Sequence, residues 1–161
     1  MKLIRTEQDQ FEFEMRFGEQ ARMRQLLKRY PSVPASHHRL SQGKIPKSAE
    51  NQQMLEEALQ SQREENRKQV ASLLNEPQRF VKFERGYRAT FNRGEIEWLL
   101  QVFNDVRIGS WIALGSPDEH PELKPGISAQ AVLHLATMDL AAFFEMGFLS
   151  AVSGGSPSGH E

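Results

Sequence analysis

The chain has no cysteine in its 161 residues. That absence excludes a disulfide framework, a thiolate metal site, a cysteine nucleophile and a thiol redox switch, and it fits a reducing compartment. Met1-Lys2-Leu3-Ile4-Arg5-Thr6-Glu7 holds no apolar h-region, so a secretory signal is not expected. No uninterrupted apolar run reaches the length of a bilayer span. The nearest approach, 129–152, carries His134, Asp139 and Glu145 and reads as a buried helix. These absences predict a cytoplasmic protein without a membrane segment.

Charge of one sign is missing from long stretches. No acid lies between Gln20 and Ala49, against Arg22, Arg24, Lys28, Arg29, Arg39, Lys44 and Lys47. A second basic run, Arg79, Lys82, Arg85, Arg88 and Arg93, is opposed only by Glu84. Beyond Gly94 the balance reverses, and Arg107 and Lys124 are the only Lys or Arg. The formal net charge is −1. Such asymmetry marks either an acidic or nucleic-acid partner or two halves that neutralise each other. Arg22, Arg24, Lys28, Arg29 and Arg39 are the candidate basic surface.

Chemistry-bearing patterns are scarce as well. His37-His38, His120, His134 and His160 make no His-x-x-x-His or His-Glu-x-x-His pair. There is no Gly-rich phosphate loop and no Gly-x-Ser-x-Gly. The expectation is therefore no metal, no cofactor and no catalytic residue.

What is present is hydrophobic period. Lys2–Arg5 and Phe11–Met15 read as strands of a hairpin, because Phe11, Phe13 and Met15 alternate with polar residues. Glu7-Gln8-Asp9-Gln10 connects them. A helix follows near Glu19–Arg29, with Met23, Leu26, Leu27 and Tyr30 on one face and Pro31 as its stop. After a loop over Tyr30–Ile45, a long helix begins at Ser48 and runs to Asn75. Its middle, Ser61–Gln69, is polar all round, so it either bridges solvent or breaks near Arg63–Arg67. In the ambiguous stretch 79–91, Tyr87–Phe91 is the preferred strand. Asn92 and Glu95 form a capping box for a helix that ends at Gly115. Ser128 caps the last helix, which extends to about Val152, and Ser153–Glu161 reads as a disordered tail. The predicted fold is α+β and mostly helical. About four helices form a bundle beside a small antiparallel sheet made by the N-terminal hairpin and a strand near 87–91, all within one domain over 1–152.

At about 100° per residue, Ile96, Leu99, Leu100, Val102, Phe103, Val106 and Leu114 share one broad arc. Arg107 falls inside that arc. On the last helix Asp139 falls among Val132, Leu135, Phe143 and Met146. Buried charges need partners, and Arg suits a bidentate carboxylate. Arg107 and Asp139 are therefore predicted to pair across packed helices, in a buried polar cluster with Asn104 and Asp105. Fixing helix register is the simpler role for such a pair; a ligand pocket is the other.

The block Glu95-Ile96-Glu97-Trp98-Leu99-Leu100-Gln101-Val102-Phe103-Asn104-Asp105-Val106-Arg107-Ile108-Gly109 resembles the bacterial "domain of unknown function 2017" family, which carries an Asn-Asp-x-Arg block before a Gly-bearing stretch. The order of elements is similar too. The resemblance singles out Asn104, Asp105 and Arg107 but attaches no role to them. In some bacteria these genes lie near that of the Clp protease adaptor, which points to regulation or proteostasis. The resulting expectation is a non-enzymatic regulatory or interaction protein with a protein partner, able to form a homodimer through its apolar last helix. The alternatives are a nucleic-acid-binding regulator using the basic 22–47 segment, and a small enzyme with a polar pocket around Arg107.

Overall fold

The computed structural model describes residues 1–34 and 48–154. Arg39, His37, His38, His160 and the tail from 155 lie outside them. Four strands and four helices follow in the order β1 (Lys2–Glu7), β2 (Gln10–Arg16), α1 (Phe17–Leu27), α2 (Ser48–Asn75), β3 (Phe80–Phe83), β4 (Gly86–Asn92), α3 (Arg93–Ala113) and α4 (Ala129–Gly154). The architecture is the expected mostly helical α+β fold.

The strands form one antiparallel sheet in the order β1-β2-β4-β3. The β1–β2 turn uses Gln8 and Asp9 at φ 50° and 59°, the left-handed pair that a two-residue hairpin needs. The β1–β2 register shifts between Leu3 and Arg5. Two-residue alternation sends Phe11, Phe13, Met15, Ala89 and Phe91 inward. The outer face carries Glu12, Glu14, Arg88 and Thr90. The ambiguous stretch 79–91 resolves into a hairpin of β3 and β4, one strand more than expected.

Helices cover the inner face. Phe148 of α4 lies 5.2 Å from Phe13, 5.4 Å from Phe91 and 6.1 Å from Phe103, centroid to centroid. Phe103 also stacks on Phe144 at 5.6 Å. This aromatic cluster ties α3, α4 and the sheet together. α1 adds Met23, Leu26 and Leu27.

The predicted caps are present. Asn92 Oδ1 accepts from Glu95 N at 2.8 Å, and Glu95 accepts from Asn92 N at 2.9 Å. Ser128 Oγ accepts from Ala131 N at 3.1 Å. α3 stops where Gly115 takes φ +87°. α4 continues to Gly154, two residues past its expected end.

α2 has the expected bounds and no break at Arg63–Arg67, but its polar middle is not solvated all round. The reason lies in a stripe spaced alternately by three and four residues: Leu59, Arg63, Asn66, Val70 and Leu73. Val70 and Leu73 enter the core, and Asn66 is only 2 % exposed. The polar middle therefore seats against polar groups of its neighbours, while Met54 and Leu55 nearer the N-terminus stay exposed.

Candidate functional site

The expected cluster of Asn104, Asp105, Arg107 and Asp139 does not assemble. The residues of α3 that are buried are Ile96, Leu99, Val102, Phe103, Val106, Gly109 and Ser110. Their arc centres near Phe103 and Val106, which leaves Arg107 just beyond its edge. Arg107 is half-buried. Its Nε donates to Glu145 at 3.4 Å and its Nη2 to exposed Asn104 at 2.7 Å. Asp139 is instead exposed and lies 2.8 Å from His120 Nε2. The predicted Arg107–Asp139 pair is thus replaced by two others. α4 is apolar almost all round, so a charge on it looks buried from sequence even on its solvent side.

Asp105 sits on the opposite edge of α3 and has a different task. Its Oδ1 accepts from Ser32 N at 2.6 Å and from Val33 N at 3.3 Å. Arg63 of α2 donates to the Val33 carbonyl and approaches Asp105 Oδ2 at 3.4 Å. Asn66 reaches Tyr30 Oη and Gln101 Oε1, each at 3.4 Å. Burial first, and Asp105 next, push the Tyr30 phenol above its ordinary value. One turn along α3, Gly109 lets the chain at Ser32 rest on the helix. A Cβ at 109 would lie 2.7 Å from the Ser32 carbonyl carbon. The Asn-Asp-x-Arg-x-Gly block therefore works as a clamp. Asp105 and Gly109 hold the segment leaving α1, while Arg107 reaches Glu145 of α4 and exposed Asn104 braces Arg107. Arg63 and Asn66 were missed because polarity reads as solvent exposure; the three–four spacing of their stripe was the available signal.

Glu145 was also missed as the partner of Arg107. Burial is the leading influence on its carboxyl and raises it above the ordinary value despite Arg107. Where Arg107, Trp111, Met138, Asp139 and His120 meet, a shallow hollow of about 280 Å³ opens. Its floor is fixed by Trp111 Nε1, which donates to the Pro117 carbonyl at 2.9 Å. The His120 imidazole is raised above its ordinary value by its hydrogen bond to Asp139. No nucleophile stands beside that pair. Among the described residues no group of three His, Asp or Glu side chains is placed to hold a metal.

The basic residues are dispersed or occupied. Arg22, Lys28 and Arg29 are exposed, but Arg22 and Lys28 project from different sides of α1. Arg24 is half-buried and donates to the Leu74 carbonyl at 2.9 Å. In the second run, Arg79 is clamped by both oxygens of Glu95 at 2.6 and 2.9 Å. Arg88 reaches Glu14 at 2.9 Å and Arg93 reaches Asp9 at 3.4 Å. Much of the charge asymmetry along the sequence is thereby neutralised within the fold. The wide hollow over the outer sheet face, about 570 Å³, is lined by these paired charges.

α4 reads from the sequence as a buried helix, but the fold buries only one of its faces. Phe144 and Phe148 point into the core, but Val132, Phe143, Met146 and Leu149 are 40, 44, 68 and 47 % exposed. Beside them a groove of about 400 Å³ is lined by Met1, Leu3, Phe143, Met146, Gly147 and Ser150. By length and composition alone α4 is apolar enough to cross a membrane, and a third of its most apolar window is buried in the fold. Set against known protein families, characterised proteins and solved structures, the chain has no significant match.

Proposed function

We propose that this chain is a non-enzymatic regulatory or interaction protein of the cytoplasm whose contact surface is the outer face of α4. The observation that carries this reading is the apolar row with its adjoining groove. Large exposed apolar patches rimmed by polar residues mark interaction sites. Glu95, Gln101, Asp105 and Arg107 of α3 support the same reading, because they hold neighbouring segments rather than converge on a substrate-sized cavity. The resemblance of the Asn104-Asp105-x-Arg107 block to a bacterial family belongs to the proposal and points to regulation or proteostasis. It brings no activity with it.

In-cell photo-crosslinking tests the reading. A photoreactive phenylalanine analogue replacing Met146 is expected to capture a polypeptide, and the same analogue replacing exposed Gln60 on α2 is not. Absence of an adduct at 146, or equal capture at both positions, overturns it.

A further inference from the structure

We infer that the outer face of α4 is covered by a second copy of the same chain, the two α4 helices packed antiparallel about a two-fold axis near Met146 and Gly147. This inference rests on the interaction reading and names its partner.

The spacing of the face comes first. Val132, Ala136, Asp139, Phe143, Met146 and Ser150 follow one another by alternate steps of four and three, the seam along which two helices pack. Asp139 is the only charge on the row, and His120 of the same chain already engages it at 2.8 Å.

Shape comes next. A two-fold contact needs a surface that fits itself, and here a knob stands beside a hole. Met146 projects from α4, 68 % exposed. Next to it the groove of about 400 Å³ runs between Leu3 of β1 and Ser150, with Gly147 in its floor. The flexible end of the Met1 side chain lies over Gly147, so the groove can adjust its depth to an entering side chain. With the axis near Met146–Gly147, each copy's Met146 enters the other's groove, and Phe143 lies across from the small Ser150.

Extent and chemistry agree. The exposed parts of Val132, Phe143, Met146 and Leu149 amount to roughly 400 Å² per copy, so a pair buries on the order of 800 Å², the small end of the range and the size of a weak, micromolar association. An uncharged apolar centre is the composition of homodimer interfaces. A lipid surface fits less well, because helices that lie on membranes carry Lys and Arg along their polar face. α4 has neither.

The cysteine-free chain makes the test direct. The full-length protein, 18.4 kDa per copy, is expected to sediment as a dimer at micromolar concentration. Met146→Glu is expected to weaken dimerisation at least tenfold while leaving the circular-dichroism spectrum unchanged. In Met146→Cys the two thiols face each other at the axis, so oxidation with copper phenanthroline is expected to give a disulfide-linked dimer. In Val132→Cys an antiparallel pair holds the thiols about 40 Å apart, at 1.5 Å of rise per residue, and no link is expected. A monomer throughout the micromolar range overturns the inference, as does a monomer that sediments with liposomes. A dimer that fails to link at 146, or links at 132, overturns the arrangement. A monomer that still yields a photo-adduct at 146 rejects the second copy alone and leaves the interaction reading standing.

Discussion

α3 and α4 pack against each other through the centre of the core, and they treat their apolar residues differently. None of the large apolar side chains of α3 ranks among the exposed ones, whereas α4 exposes Val132, Leu133, Phe143, Met146 and Leu149. The cause is coverage. α3 lies between α4 on one side and α1, the 30–34 segment and the second half of α2 on the other. Its two polar edges are the places where those neighbours fasten, Asp105 to one and Arg107 to the other. α4 has the core on one side; on the other, the described chain supplies only His120 at Asp139 and the rim formed by Met1 and Leu3. A helix wheel records which side of a helix is apolar. It does not record how many neighbours will be present to cover it.

The sharpest way to break this comparison is to cut the same helix on both faces. Phe148→Ala is expected to lower stability by about 3–5 kcal/mol, the range for a buried aromatic truncated in a core. Met146→Ala is expected to change it by less than about 0.5 kcal/mol, measured by denaturant unfolding at concentrations where the chain is monomeric. Similar losses at the two positions would mean that the outer face is covered within the fold.

A second contrast sets the two edges of α3 against each other. Asp105→Ala strands two backbone N–H donors and is expected to cost about 2 kcal/mol. Arg107→Ala removes a partly exposed cation that lies 3.4 Å from its carboxylate, and is expected to cost less than about 1 kcal/mol, because the Glu145 carboxyl is already raised by burial and can take up a proton. The same unfolding measurement decides, and a reversed order would break the clamp described for Asp105.

The smallest effect belongs to His120. Its raised pKa means that the folded state holds this proton more tightly than the unfolded chain does. Its contribution is complete below the ordinary histidine value and is lost as the pH climbs through the raised one. A proton-NMR titration is expected to show a midpoint above that of an ordinary histidine, returning to it in Asp139→Asn. An unchanged midpoint in that variant would dissolve the pair.

Local patterns were legible in the sequence because their causes are local. The alternation of Phe11, Phe13 and Met15 needs only the pleat of a strand, and the Asn92–Glu95 cap needs only four consecutive residues. Ser128 likewise caps α4 from its own turn. The polar contacts were read less well because each depends on what arrives from elsewhere. Arg107 sits at an arc's edge whose centre is set by where α1 and α4 pack. Asp139 looked buried because α4 is apolar on both faces. The middle of α2 looked solvated, although Asn66 meets Tyr30 and Gln101 inside the fold. The Asn-Asp-x-Arg block was singled out by resemblance, whereas its division between two edges of the helix follows from tertiary packing alone.

The irregular register of β1 has a consequence for aggregation. A sheet with free edges invites another strand to add to it. Here one edge strand shifts register between Leu3 and Arg5, and the other, β3, is four residues long and carries Lys82. Kinked, short and charged edges are poor templates for runaway strand addition. Growth by sheet extension is open-ended, whereas a helix seam closed by a two-fold axis ends at two copies. With its edges blunted in this way, the sheet offers little competition to a contact made through the helix face.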